Sequence, residues 1–286
     1  MTEALDAQGP NREQIAYWNG DTGDKWVEAQ ERLDPVLEIF SDAAMDAVGV
    51  GPGERVIDIG CGCGATTLSL ARRVGPIGSV MGVDISTRML QRAAERADAA
   101  GLRNTGFVNA DASTCLFEEG AADLLFSRFG VMFFPDPAPA FANMRKGLKP
   151  GGRLGFVCWA PLARNEWVTM PRDIALRHVP PPEPVDPHAP GPFAFADPDR
   201  VRGILDDAGF SKIEVTAHDT TMRQPGTIDE VTRFVTHFGP ASRLLNDVDE
   251  ATRTAVEDDV RVAIASLHDG SGVDLEAAMW IVTARA

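Results

Sequence analysis

Long hydrophobic runs are missing from this 286-residue chain. No stretch approaches the roughly 18 consecutive apolar residues that a membrane span requires, so no membrane partner is expected. The opening residues, M-T-E-A-L-D-A-Q, are acidic and polar rather than a leader of the secretory kind, and the expected location is cytoplasmic. Basic residues are outnumbered, 27 Lys and Arg against 42 Asp and Glu, for a formal net charge of −15. A field of that sign repels phosphate backbones, and the longest basic run, Arg72-Arg73, is too short to override it. Nucleic acid is therefore not an expected partner. Cysteine is sparse: Cys61, Cys63, Cys115 and Cys158 show no CxxC pair and no companion histidines, which argues against a metal site and a disulfide framework. Tyrosine occurs once, at Tyr17. What remains is an ordinary globular composition, 44% apolar and 24% charged, long enough for one large domain or one domain with insertions.

The richest stretch is Arg55 to Gly64, R-V-I-D-I-G-C-G-C-G. Val56, Ile57 and Ile59 predict a short strand buried on both faces. Gly60, Gly62 and Gly64 then let the backbone turn and let a ligand approach more closely than a β-carbon allows. Ala65 to Val74 has helical character, with Gly75 as its stop. A strand, glycine turn and helix N-terminus form a nucleotide-sized pocket at the carboxyl end of a sheet. Methyl-donor binding, dinucleotide binding and a ligand-free turn all fit these residues alone.

Taken in order, residues 1–10 read as frayed. Glu13 to Trp18 and Lys25 to Leu33 read as short helical pieces around a turn-rich joint at 19–24. Pro35 to Val48 reads as an amphipathic helix. Beyond the glycine turn come a strand at 79–83 tipped by Asp84, a helix at 88–97, strands at 106–109 and 123–126, a helix at 138–148, a K-P-G-G turn and a strand at 153–159. These alternations predict an open parallel sheet with helices on both faces. Prolines from 171 to 198 argue against a regular element there. A helix at 199–209 and a strand at 212–217 follow. Thr227 and Glu230 form a capping-box pattern before a helix carrying Val231, Phe234, Val235 and Phe238 on one face. A helix at 249–267, with Val256, Val260, Ala263, Ile264 and Leu267 inward, and a strand at 279–284 close the chain.

Five ordered signatures carry a resemblance: V-I-D-I-G-C-G-C-G (56–64), G-V-D-I-S-x-x-M-L (82–90), N-A-D-A (109–112), D-L-L-F-S-R (123–128) and L-K-P-G-G-R-L (148–154). With them the chain resembles the class I S-adenosylmethionine-dependent methyltransferases, above all the small-molecule branch around quinone-biosynthesis enzymes. Pairing Asp111 with the K-P-G-G turn separates it from dinucleotide dehydrogenases. The resemblance implies a Rossmann-like seven-stranded sheet, mostly parallel with an antiparallel last strand, plus helical insertions. It implies a helical lid at 1–48 and a cofactor domain at 49–286, with insertions at 160–196 and 222–275 building the acceptor pocket.

Carried over by position, the resemblance implies that Gly60, Cys61 and Gly62 pass the methionine portion of S-adenosylmethionine, with Asp58 supporting its ammonium. Asp84 takes the ribose hydroxyls, Ile85 and Met89 sandwich adenine, and Asp111 and the Ala112 amide read the adenine edge. Ser127 offers its backbone carbonyl to the ammonium, and Tyr17 and Trp26 belong to the lid. The product is S-adenosylhomocysteine, and the partner is a small, largely apolar acceptor methylated at oxygen or nitrogen, less readily at carbon. Phe193, Phe195, Phe234 and Phe238 are expected to wall its pocket, and His237 is the candidate base, against the plainer reading of a surface histidine. Two other readings stand beside this one. One is a cofactor-binding protein with a regulatory or structural role; the other is an arsenic-type methyltransferase, motivated by the cysteines.

Overall fold

The structure, a computed structural model, describes Leu5 and residues 9–286, so most of the segment expected to fray (1–10) lies outside the described residues. In chain order the elements are α1 (Arg12–Trp18), α2 (Asp21–Glu28), α3 (Gln30–Val48), β1 (Arg55–Ile59), α4 (Ala65–Val74), β2 (Ser79–Asp84), α5 (Thr87–Ala99) and β3 (Thr105–Asn109). They continue with β4 (Ala122–Arg128), α6 (Pro137–Arg145), β5 (Leu148–Trp159), α7 (Glu166–Ala175), α8 (Pro198–Asp207) and β6 (Ser211–Pro225). The last are α9 (Ile228–His237), α10 (Pro240–Leu244), α11 (Glu250–Leu267) and β7 (Gly272–Arg285). The chain divides into two compact units, one of Met1–Trp159, His188–Ala217 and Trp280–Ala286, the other of Ala160–Pro187 and His218–Met279.

The seven strands lie in the order β3-β2-β1-β4-β5-β7-β6, with the pairs from β3 through β5 all parallel. β7 runs the other way beside β5: the Ala286 amide donates to the Gly152 carbonyl and the Ala160 amide to the Ala278 carbonyl. The Rossmann-like, mostly parallel sheet is therefore as expected. Its strand order reverses between β1 and β4, and in open α/β sheets that switch point opens a crevice at the carboxyl ends of the strands. Leu124, Leu125 and Phe126 of β4 are fully buried, as a central strand covered on both faces must be.

Several boundaries differ from the sequence reading, each for a local reason. The joint at 19–24 shrinks to Asn19 and Gly20, because Asp21 to Asp24 form the first turn of α2, where acidic side chains favour the helix dipole. α3 starts at Gln30 and runs through Pro35; one backbone hydrogen bond is lost, while the buried stripe Leu33, Val36, Leu37, Phe40 and Ala44 continues across it. K-P-G-G is part of β5, taken up in an irregularity of the β4–β5 register with Gly151 at φ +76°. Pro171 sits inside α7, so the proline-rich segment is irregular only beyond that helix. Phe195 is fully buried in the first unit, its ring 6.3 Å from both Phe141 and Phe156, and is core rather than pocket wall.

The second unit has its own apolar core, in which Ile174, Val231, Val235, Val260, Ile264 and Leu275 meet. α9 carries the expected capping box: Glu230 accepts from the Thr227 amide at 2.7 Å, and the Thr227 hydroxyl accepts from the Glu230 amide at 3.3 Å. Phe238 lies just past the end of α9 in extended conformation, yet its ring stacks on Phe234 at 5.2 Å. Val256, Val260 and Ile264 of α11 are inward, but Leu267 at the last turn is 45% exposed.

Candidate cofactor site

Parallel strands bring their carboxyl ends to one edge, and that edge collects the residues singled out in the motifs. Asp58, on β1, has no exposed surface. Its Oδ2 accepts from the Thr66 and Thr67 hydroxyls, both at 2.6 Å, while its Oδ1 is buried without a partner. Burial raises the carboxyl to about 6, the two hydroxyls opposing the shift. The threonines, in the first turn of α4, escaped the sequence reading; their signal was a polar pair separated only by Ala65 from the last glycine of the turn.

Gly60, Gly62 and Gly64 have φ of +65°, +54° and +81°, the left-handed region that glycine enters freely. A β-carbon on Gly60 would meet the Gly130 Cα at 2.8 Å, so backbone packs on backbone there. Around Gly62 only the Met89 sulfur comes near, 3.7 Å from such a carbon, which leaves the turn open to a ligand. Cys61 is buried beneath the turn, filling the space that Gly82 of β2 leaves. The buried Ser127 hydroxyl donates to the Ile59 carbonyl at 2.7 Å and accepts from the Gly130 amide at 3.2 Å, fastening the exit of β4 to the end of β1. Phe129 takes φ +60°, strained for a non-glycine residue, and its ring stacks on Trp159 at 4.1 Å.

Asp84 ends β2. Its Oδ2 accepts from the Gly62 amide and its Oδ1 from the Ser86 amide, each at 2.8 Å, tying the acid to the glycine turn. Burial pushes its carboxyl upward, and these backbone donors pull it back. Ile85 follows, half-buried, and Met89 is buried on the first turn of α5. Past β3, Asp111 is buried and accepts from the Ser113 amide at 2.9 Å and the Ser113 hydroxyl at 2.7 Å. The Ala112 carbonyl accepts from the Asn143 side chain at 3.2 Å.

The N-terminal helices reach this edge. Asn19 donates to the Ile85 carbonyl at 2.9 Å and accepts from the Thr87 amide at 3.1 Å. A β-carbon on Gly23 would run into the Trp18 carbonyl oxygen and would lie 3.4 Å, an ordinary contact distance, from the Ser86 hydroxyl. The Trp18 ring is met edge-on by Tyr17 at 5.3 Å, Trp26 at 5.9 Å and Phe133 at 5.2 Å. Three arginines at helical spacing on α5 complete the attachment: Arg88 pairs with Asp24 at 2.6 Å, Arg92 with Glu31 at 3.4 Å, and Arg96 with Asp34. Asn19 and this arginine row were missed in the sequence. The row was visible as R-x-x-x-R-x-x-x-R, but its acidic partners lie more than 60 residues away in the chain.

His237 belongs to the other unit. Its side chain is 52% exposed, its Nδ1 sits 2.9 Å from the Arg233 carbonyl on its own helix, and its Nε2 is 3.9 Å from Glu257. That is the setting of a surface histidine. The cysteines are not arranged as soft ligands: burial pushes Cys63 up to about 12 and Cys115 up to about 11, and Cys61 and Cys158 upward as well. Among the described residues no group of His, Cys, Asp or Glu could hold a metal, and no helix is long and apolar enough to cross a membrane.

A glycine turn at the sheet's switch point, with acids at the tips of three adjacent strands, defines the class of Rossmann-like nucleotide binders. A family model described as a methyltransferase domain matches residues 56–152. The nocamycin O-methyltransferase of Saccharothrix syringae is 31% identical over 200 residues, 66% of this chain and 71% of that protein. The chain belongs to the class I S-adenosylmethionine-dependent methyltransferase superfamily. The aklanonic acid methyltransferase DauC of a Streptomyces species is 41% identical over 104 residues, and the demethylmenaquinone methyltransferase of Staphylococcus aureus 35% identical over 115. The matched stretches cover 36% and 40% of this chain and about half, 47%, of each of those two proteins. In structure the chain is similar to the YcgJ protein of Bacillus subtilis (TM-score 0.57, 18% identity, covering 87% of this chain and 98% of that one). It is equally similar to the cyclase SpnF (TM-score 0.56, 18% identity, 99% and 98%), and a likeness at that identity shows the fold alone.

Proposed function

We propose that this protein transfers the methyl group of S-adenosylmethionine to an oxygen or nitrogen, less readily a carbon, of a small and largely apolar molecule. The observation that carries the reading is the bare Asp58 Oδ1, a buried carboxylate oxygen beside an open glycine turn. Such an atom is costly unless a cationic or hydrogen-bonding group meets it, and the cofactor's ammonium is such a group. The named relatives support the acceptor class, since their names give nocamycin, with transfer to oxygen, aklanonic acid and demethylmenaquinone.

Bound S-adenosylmethionine supplies a methyl group already activated on a sulfonium. What is left to the chain is binding, orientation and exclusion of water. In this reading Asp58 and the Ser127 carbonyl hold the ammonium, while Gly60, Cys61 and Gly62 give the backbone room to pass. Asp84 orients the ribose hydroxyls. Ile85 and Met89 bracket adenine, and Asp111 and the Ala112 amide fix its edge. α1 and α2, with Tyr17 and Trp26, act as a lid that keeps water out. The segments 160–196 and 222–275 are assigned acceptor recognition. A general base is optional when the donor is this reactive.

Calorimetry with S-adenosylmethionine, S-adenosylhomocysteine and NADPH is the first test, followed by methyl transfer to a panel of phenols, quinols and amines. Binding of both sulfur nucleosides, and turnover with at least one acceptor, is the expected result. Binding of NADPH in their place would sink the reading.

A further inference from the structure

Arg128 closes β4 beside Ser127, and its guanidinium makes no hydrogen bond or ion pair with any described residue. Strand register places it. Phe126 pairs with Asp58 across β4 and β1, so Arg128, two residues further on, stands level with Gly60 at the start of the glycine turn. The charges that act on it are Asp34 of α3, Asp58 of β1 and Arg96 of α5, together with the Cys63 thiol inside the turn.

None of these answers its donors. Asp34 accepts from Arg96 and, at 2.7 Å, from Gln30, both at Oδ2, and makes no bond to Arg128. Asp58 spends Oδ2 on two threonine hydroxyls and keeps Oδ1 bare. Burial disfavours the charged guanidinium here, against the pull of the two aspartates. One edge of the site thus holds an unanswered fork of N–H donors and an unanswered carboxylate oxygen, near each other but not paired. A ligand that satisfies both carries an anion and a cation on neighbouring atoms. An α-amino acid does so, with a planar carboxylate matching the guanidinium fork and an ammonium matching the carboxylate.

We infer that Arg128 binds the α-carboxylate of the cofactor's methionine portion while Asp58 receives its ammonium, an inference that rests on the S-adenosylmethionine reading above. The nucleoside end carries no anion, so the arginine has no role there. Recognition of the amino-acid end is thereby separated from that of adenosine.

The separation is what an experiment reads. S-adenosylhomocysteine carries the amino acid; 5′-methylthioadenosine has the same nucleoside and sulfur without it. Both are titrated calorimetrically into the full-length wild type, Arg128→Met and Arg128→Lys. Arg128→Met is expected to bind S-adenosylhomocysteine about 10- to 100-fold more weakly, the loss of charge-assisted hydrogen bonds, and 5′-methylthioadenosine within about twofold of wild type. Arg128→Lys, a point charge without the fork, is expected to recover part of the loss. An unchanged affinity for S-adenosylhomocysteine, or an equal loss for both ligands, overturns the inference. If Arg128→Met does not fold, by its thermal unfolding transition, the same comparison is made on Arg128→Lys alone, which is expected to weaken only the amino-acid ligand, by about tenfold. A wild type that binds neither ligand overturns the cofactor reading itself, a different result from a wild type that binds both while Arg128→Met discriminates nothing.

Discussion

Gly60 and Gly130 touch backbone to backbone: a β-carbon on the first would lie 2.8 Å from the Cα of the second, and one on the second 2.8 Å from the Ile59 carbonyl. Gly62, two residues on, has open space beside it. The two glycines should therefore fail in different ways. Gly60→Ala is expected to lower stability by roughly 2–5 kcal/mol, from overpacking plus left-handed strain. Gly62→Ala should cost only about 1–2 kcal/mol of strain but lose most cofactor affinity, because its new methyl occupies the ligand's approach. Chemical denaturation and calorimetry on both variants make the comparison; equal stability losses would contradict the close contact.

Asp58 links pH to folding and, on the proposed reading, to binding. Its carboxyl is raised from 3.8 to about 6, so between those values the folded state holds the proton more tightly than the unfolded one. Stability from this group is complete below about 4 and is lost as pH rises through about 6, by roughly 3 kcal/mol at most. Asp58→Asn should thus melt higher than wild type at pH 7 without cofactor, yet bind S-adenosylhomocysteine more weakly. Wild-type affinity should fall as pH drops below about 6, when the carboxyl becomes neutral, and the variant should lack that dependence. A variant with the wild-type pH profile for binding would remove Asp58 from the ammonium site.

Asn19 ties the N-terminal helices to the β2–α5 junction through its bonds to Ile85 and Thr87. Asn19→Ala removes three side-chain hydrogen bonds, the third to the Ile15 carbonyl of α1, each worth about 1 kcal/mol, and should leave the sheet intact. Faster amide exchange confined to α1 and α2, with weaker S-adenosylhomocysteine binding, is the expected signature. Exchange that stays at the wild-type rate would mean the arginine row on α5 holds α1 and α2 without Asn19.

His237→Gln should change nothing in the chemistry, because the ring is half exposed and bonded to its own helix. The pH–rate profile with any acceptor that is turned over provides the check. Loss of the low-pH fall in rate, together with a much slower turnover, would restore the histidine as a base.

Much of this was legible in the sequence because it is local. An apolar run broken by alternate glycines specifies a buried strand and a left-handed turn through sterics within ten residues, and an acid at a strand tip follows from register with that turn. The Thr227–Glu230 capping box is likewise closed within one helical turn. The limits appear where distant segments meet. Pro35 reads as the first residue of a helix and Pro171 as part of an irregular stretch, yet each sits inside a helix because the buried stripe beside it outweighs one missing hydrogen bond. Phe195 reads as a pocket wall because its segment is proline-rich, but packing against Phe141 and Phe156 makes it core.

The chain by itself determined the alternation of strands and helices from β1 to β5, the glycine turn and the acids that follow it, since periodicity and backbone sterics act over a few residues; α7 and α10 were not legible in it. Only the tertiary structure decided which polar groups remain unanswered. Asp58 keeps a bare oxygen because Thr66 and Thr67 both choose the other one, and Arg128 keeps its donors because Arg96 and Gln30 gather on Asp34 Oδ2 while no acceptor among the described residues bonds the guanidinium. Satisfaction of a buried charge depends on every neighbour brought within about 3 Å by the fold, and no spacing along the chain records that.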